Sequence, residues 1–207
     1  MNHLARWQAM WAQLGVRDPG AGLLHELMQR YGEPHRSYHT MQHLDECLTQ
    51  FDAVRSIAAR PAEIELALWF HDAIYEVRSH DNEQKSADWV RSVVLNADGA
   101  PDVADRVHAL VMATCHNASP TTQDAQVLVD VDLSILGAAP ARFDEYEFQV
   151  RAEYAWVPEA LYRSKRAGIL QAFLDRDSIY NTDWFQSRFE ANACHNLTRS
   201  IANLTDS

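Results

Sequence analysis

The sequence predicts an all-α protein, and three observations support this prediction. Apolar residues recur at intervals of three and four residues through nearly every segment, which is the spacing of an amphipathic helix. Short alternating runs joined by tight turns, the pattern of β-hairpins, are absent from the sequence. Pro61, Pro101, Pro140 and Pro158 stand near the starts of helical patterns, where a missing N–H group costs least. We find no internal repeat of fixed period, which argues against a helical solenoid.

The apolar period predicts ten helices along the chain. Thr40 is expected to cap the third helix, Asp81 or Asn82 the fifth, and Gly137 is expected to end the seventh. The predicted helices, with bounds good to a few residues, are 3–14, 20–31, 40–57, 61–75, 83–96, 101–115, 124–136, 140–156, 158–175 and 183–204.

Length and composition indicate one folded domain over residues 1–207. The chain has 207 residues, of which 47% are hydrophobic, enough for one substantial core and too few for two comfortable ones. We expect the core to span about 30–180, with the N- and C-terminal helices packing on it. The final helix is amphipathic, and its apolar face is also a candidate contact in a homodimer.

Charge, cysteines and the N-terminus exclude several classes of protein. A formal net charge of −11 speaks against nucleic acid and anionic membranes as partners. Cys47, Cys115 and Cys194 are odd in number and widely spread, which argues against a disulfide framework or a thiolate zinc site. The N-terminus lacks a signal-peptide pattern and no stretch approaches about 20 apolar residues, so we expect a cytoplasmic protein.

Ionisable residues interrupt two strongly apolar segments. His71 and Asp72 follow residues 64–70, which are apolar around almost the whole helix circumference and therefore predict a buried helix. Asp132 falls on the apolar face of its own helix, whereas Asp130 falls on the opposite side and is expected to be solvated or to support the site. An unpaired buried carboxylate is costly, so these residues call for a cation. The alternative is that His71 and Asp72 lie at a solvent-exposed end of a helix.

His43 adds a third candidate ligand to this set. It lies in the first turn after Thr40, near the positive end of a helix, a position that also suits a bound anion. The alternative is a polar helix face shared with Gln42 and Glu46. Two imidazoles and two carboxylates together predict a site for one divalent metal ion. The residues leave its identity open among manganese, cobalt, nickel, iron, zinc and magnesium.

The ordered pattern H…HD…D, formed by His43, His71-Asp72 and Asp132, resembles the HD superfamily of metal-dependent phosphohydrolases. Further segments look like a bacterial subfamily described as predicted HD-superfamily phosphohydrolases: 38–43, 69–75, 81–83 with 86–87, 130–137 and 166–180. The resemblance covers roughly residues 30–195. It implies an HD-domain helical bundle around one divalent metal held by those four residues. It also implies hydrolysis of a small phosphorylated metabolite, a nucleotide or related phosphoester, by a phosphomonoesterase or pyrophosphohydrolase activity.

The chain departs from this family at the expected acid/base residue. Nucleotidase relatives place a glutamate three residues after the HD aspartate, where this chain has Tyr75. Glu76 is one candidate, because it is i+4 from Asp72 on a continuing helix and matches the second carboxylate of the related HD-x-x-E-D pattern. The alternative is a solvent-facing helix end. Asp72 itself is the other catalytic candidate.

Phosphate binding requires positive or hydrogen-bonding groups around the phosphoryl oxygens. The candidates are Arg36, His39, Lys85 and Arg166, although surface charges of this kind are commonly without function. His116, at the end of a predicted helix, is a further candidate as a substrate contact, a supporting residue or a ligand of a second metal. Its alternative is an ordinary helix-terminal histidine.

Two other functions fit the same residues. Tyr75 in place of glutamate favours a metal-containing nucleotide-binding or regulatory module with little or no hydrolysis. An oxygenase with two iron ions on the same scaffold would need additional ligands, for which only His39 and His116 are plausible donors.

Overall fold

The computed structural model of the protein describes residues 2–206. Ten α-helices and no β-strand occur in this range, which confirms the all-α prediction. None of these ten is both long and apolar enough to cross a membrane. The helices are α1 (His3–Leu14), α2 (Ala21–Tyr31), α3 (Met41–Val54), α4 (Pro61–Phe70), α5 (Asn82–Asn96), α6 (Pro101–Ala113), α7 (Gln123–Asp132), α8 (Pro140–Glu153), α9 (Glu159–Leu174) and α10 (Asp183–Thr205).

The chain divides into two compact units, with the division after Val129. The first unit contains α1 to α6 and most of α7. The second contains the end of α7, a 3-10 turn at Leu133–Gly137, and α8 to α10. The prediction of one domain over 1–207 stays a prediction.

Helix α4 is the centre of the first unit. Every residue of α4 except Pro61 is buried, and the helix packs against α1, α3, α5 and α6. Its two glutamates are neutralised by arginines of neighbouring segments: Glu65 binds Arg6 at 2.8 Å, and Glu63 binds Arg106 at 2.7 Å. A buried carboxylate needs such a partner because desolvation disfavours its charge. The apolar segment 64–70 is therefore a buried helix, as the sequence predicts.

The predicted end of α4 is wrong. The sequence favours a helix through residue 75, but the helix ends at Phe70 and residues 71–81 form turns and irregular backbone. The amide of Ala73 donates to the carbonyl of Phe70 at 3.0 Å, which closes a turn directly after the helix. Arg36 donates hydrogen bonds to the carbonyls of Asp72 and Ala73, so these carbonyls do not accept helical hydrogen bonds. His71 and Asp72 therefore lie in a turn rather than on a helix face.

In the second unit, Asp130 anchors the start of α10. Its side chain accepts hydrogen bonds from the backbone N–H and side chain of Asn181, both at 2.8 Å, and from the backbone N–H and hydroxyl of Thr182, both at 2.7 Å. Asp130 is fully buried, so the expectation of a solvated carboxylate is wrong. Burial raises the pKa of Asp130, and these hydrogen bonds oppose that shift.

We expect Asp130→Ala to lower the free energy of unfolding by about 2 to 4 kcal/mol, because it leaves the Asn181 and Thr182 donors without this acceptor. The matched control is Asp144→Ala, which removes an exposed carboxylate paired with Arg199 and should cost about 0 to 1 kcal/mol. Urea unfolding followed by circular dichroism measures both. Equal losses in the two variants would contradict the anchoring role of Asp130.

Candidate metal centre

The first element of the site is the N-terminal turn of α3. Thr40 is the N-cap, and its hydroxyl accepts from the amide of Gln42 at 3.3 Å, as predicted. His43 follows in the first turn and is 2% exposed. Cys47 lies one helical turn later, so its side chain and that of His43 share a face of α3. The sulfur of Cys47 is 3.7 Å from each ring nitrogen of His43.

The second element is the turn after α4, which carries His71 and Asp72. His71 is 2% exposed, and its Nδ1 lies 2.8 Å from the carbonyl oxygen of Leu68. A carbonyl only accepts hydrogen bonds, so Nδ1 donates to it, and Nε2 faces the side chains of His43 and Asp72. A backbone carbonyl behind the ring is the usual way to orient a metal-binding histidine.

Three donor atoms converge between these two elements. Nε2 of His43 is 3.1 Å from Nε2 of His71. Oδ2 of Asp72 is 3.0 Å from the His71 nitrogen and 3.5 Å from the His43 nitrogen. Two donors bonded to one ion at about 2.1 Å are themselves about 3.0 to 3.4 Å apart in octahedral or tetrahedral coordination. The spacing therefore fits donors that share one ion.

Cys47 extends the group of donors. One ligand atom each from His43, Cys47 and His71 lies within 4.8 Å of the others, and all three residues are buried. This group could hold a metal ion. The sequence argument missed Cys47 because it considered only cysteine-to-cysteine spacing. The available signal was His43-x-x-x-Cys47, since residues four apart lie on one face of a helix.

The side chain of Asp72 carries the negative charge that a metal ligand of this type needs. Burial by itself would raise the pKa of this carboxyl group, but the imidazoles of His71, His39 and His43 hold it well below its ordinary value. The group is therefore an anion at neutral pH. Its side chain is 16% exposed, which leaves it accessible from one side.

Arg36 holds the irregular segments around the site together. Its Nη1 donates to the carbonyls of His39 at 3.1 Å and Asp72 at 2.6 Å, and its Nη2 donates to that of Ala73 at 3.1 Å. The guanidinium has no exposed surface and also pairs with Glu33 at 3.1 Å. These contacts give Arg36 a structural role: it fixes the backbone on both sides of the donors.

Tyr75 and His39 form a stacked pair beside the donors. Their ring centroids are 4.1 Å apart with an interplanar angle of 29°. Tyr75 is 8% exposed, and its carbonyl is held by the ring of His35 at 2.7 Å. At the position where the HD resemblance would place a glutamate, this chain therefore has an aromatic ring packed on a histidine.

Glu76 does not lie on a continuing helix, and the geometric basis for placing it beside Asp72 is wrong. It is exposed, and its backbone N–H donates to Oδ1 of Asn82 at 3.0 Å. Asn82 returns a hydrogen bond from Nδ2 to the carbonyl of Glu76 at 3.1 Å. Neither Asp81 nor Asn82 caps α5 through its side chain, because Asn82 binds this upstream backbone instead.

The remaining predicted residues lie in other segments of the chain. Lys85 is exposed on α5 and pairs with Asp81 at 2.8 Å. His116 is half-buried after α6, with a left-handed backbone at φ 54°. Arg166 is buried in the second unit, where its Nη2 donates to the hydroxyl of Tyr146 at 2.7 Å and it also pairs with Glu147. Asp132 is half-buried at the end of α7. Their functional roles stay predictions.

The chain matches no protein-family model, no curated protein and no solved structure. The resemblance to HD phosphohydrolases rests on the residues of the sequence. The fold is all-α, and its first unit contains a buried group of two histidines and one cysteine that could hold a metal ion.

We expect Arg36→Lys to lower the free energy of unfolding by about 2 to 3 kcal/mol, because a lysine cannot serve three carbonyls from one planar group. The control is Arg17→Lys, whose partner Asp98 lies at an exposed surface, and which should cost less than about 1 kcal/mol. Denaturant titration of both variants measures the difference. A loss in Arg36→Lys no larger than in the control would exclude the structural role.

Proposed function

We propose that this protein is a metal-dependent phosphohydrolase of the HD type. It acts on a small phosphorylated metabolite, a nucleotide or related phosphoester. One observation carries the proposal: Nε2 of His43, Nε2 of His71 and Oδ2 of Asp72 lie 3.0 to 3.5 Å from one another. Their order in the chain is that of the HD pattern, which is associated with hydrolysis of phosphate esters.

The proposed ligands are His43, His71, Asp72 and Asp132. The distances between their donor atoms support the first three ligands. The place of Asp132 in the H…HD…D pattern supports the fourth. When bound, a divalent ion would polarise a phosphoryl oxygen and lower the pKa of a water molecule toward neutrality. The set of two nitrogens and two oxygens accepts manganese, cobalt, nickel, iron, zinc or magnesium.

The chain's own residues have distinct parts in this proposal. Asp72 is anionic, and its carboxylate orients a water molecule or accepts its proton. His39, stacked on Tyr75 beside Asp72, is assigned to a phosphoryl oxygen of the substrate. Arg36 positions the backbone instead of binding phosphate. Glu76 stays a candidate acid/base, although the helical argument for it no longer holds because α4 ends at Phe70.

The ligand assignment predicts the loss of metal in single variants. The wild-type protein is expected to bind one Zn²⁺ or Mn²⁺, whereas His71→Ala and Asp72→Ala should weaken binding by at least about 100-fold, since each removes a direct ligand. His80→Ala, an exposed histidine in the same irregular segment, is the matched control and should bind as the wild type does. Metal analysis after dialysis and isothermal titration measure this. Full occupancy in both ligand variants would refute the site.

Activity is tested by phosphate release from a panel of nucleotides and phosphorylated metabolites with Mn²⁺, Co²⁺, Ni²⁺ and Mg²⁺. We expect metal-dependent turnover that falls by at least about 1,000-fold in Asp72→Ala, because this change removes both a ligand and the carboxylate beside the water. To identify substrate contacts, the KM of the wild-type protein is then compared with the KM of three variants: Lys85→Ala, His116→Ala and Arg166→Ala.

The packed ring of Tyr75 favours one alternative, a nucleotide-binding module with little or no hydrolysis. Stoichiometric metal with tight nucleotide binding and no phosphate release would favour that module and contradict the hydrolase.

A further inference from the structure

Exposed apolar side chains are concentrated in one stretch of the second unit. Among the described residues, the large hydrophobic side chains at the surface are Leu4, Phe148, Trp156, Leu161 and Ile169, which are 44 to 76% exposed. Four of these five belong to α8, to the turn after it or to α9. Single exposed hydrophobic residues are ordinary in a folded protein, whereas a concentration of them indicates a contact surface.

Helix α9 presents one complete face to solvent. Five positions follow one another along it at intervals of four and three residues, so they lie in one line, with the spacing of a seam between two helices. All five are exposed, and we call them the α9 stripe: Leu161, Lys165, Gly168, Ala172 and Asp175. The other side of the helix carries its buried residues, Tyr162, Arg166 and Leu170.

The glycine of the α9 stripe indicates a close approach by a second helix. Glycine inside a helix is less favourable than alanine, because it has more backbone freedom to lose. A Cβ atom at Gly168 would meet no other part of the described chain within 4 Å, so a single chain has room for a larger residue here. An absent side chain does, however, let the backbone of another helix come near.

The charges of the α9 stripe are complementary to an antiparallel copy of the same stripe. Lys165 and Asp175 have no charged partner among residues 2–206, and Asp175 accepts a hydrogen bond from Gln171 at 2.8 Å. A second α9 that runs antiparallel and crosses at the level of residue 170 places its Asp175 opposite Lys165 and its Ala172 opposite Gly168. A two-fold axis repeats both contacts. A parallel copy would place like charges together.

We infer that the α9 stripe is the contact surface between two copies of this chain, which pack α9 against α9 in antiparallel orientation around a two-fold axis. Gly168 and Ala172 allow the backbones to approach, and the exposed apolar side chains beside them lose contact with water. The two pairs of Lys165 with Asp175 fix the orientation. Helix α10 buries its apolar face within its own unit, against α9 and the 3-10 turn. The inference is independent of the metal site.

Charge reversal tests the orientation of the two helices. Lys165→Glu places a carboxylate opposite Asp175 at both contacts, and Asp175→Lys places an ammonium group opposite Lys165. We expect each variant alone to dimerise at least about 10-fold more weakly than the wild type, because like charges then meet twice. An equimolar mixture of the two variants should recover the wild-type affinity within about threefold, since every contact in the mixed dimer again joins opposite charges.

The apolar part of the surface is tested with a matched pair of variants. Ile169→Ser changes an exposed side chain directly beside Gly168, and Leu4→Ser changes an exposed side chain of similar size on α1. We expect Ile169→Ser to weaken dimerisation by about 10-fold and Leu4→Ser to leave it unchanged. Sedimentation velocity of the full chain over a concentration series measures all of these dissociation constants, after circular dichroism has shown that each variant folds.

Three results would overturn the inference. The first is a wild-type chain that stays monomeric at about 100 μM. The second is a dimer that neither charge variant weakens, because its contact surface then lies elsewhere. The third is a mixture of the two charge variants that stays as weak as each alone. If a charge variant does not fold, the pair Ile169→Ser and Leu4→Ser decides, and equal dimerisation of these two would exclude the α9 stripe.

Discussion

The structure of the first unit depends on one electrostatic constraint: two buried imidazoles and a carboxylate lie within 3.5 Å of one another. Dehydrating a carboxylate costs several kcal/mol unless positive charge or hydrogen-bond donors replace the lost water. One divalent cation bound between the three side chains would supply that positive charge to all three donor atoms.

The surrounding fold keeps these donors at fixed positions. Helix α4 is buried almost completely and ends at Phe70, directly before His71 and Asp72. The cap at Thr40 sets the start of α3 and hence the position of His43. Arg36 then joins the two segments through three backbone carbonyls. The site therefore combines a capped helix start with a turn held by a buried guanidinium.

Helix periodicity and punctuation predict the helices closely, because amphipathic patterns, proline positions and the Thr40 cap are local properties of the sequence. The position where α4 ends is not set by neighbouring residues alone. It depends on Arg36, which is distant in the chain and donates hydrogen bonds to carbonyls that would otherwise accept them in a continuing helix. The burial of Asp130 is not local either, since its partners Asn181 and Thr182 directly precede another helix. His43, His71 and Asp72 are identifiable from their chemistry and order, and Cys47 from its position four residues after His43 on one helix face.

The most direct test of the metal site is anomalous X-ray diffraction from a crystal of the full chain soaked in Zn²⁺, recorded on both sides of the zinc absorption edge. The account predicts an anomalous peak about 2.0 to 2.2 Å from Nε2 of His43, Nε2 of His71 and an oxygen of Asp72. Zinc bound elsewhere on the protein, with no peak between these three atoms, would contradict it.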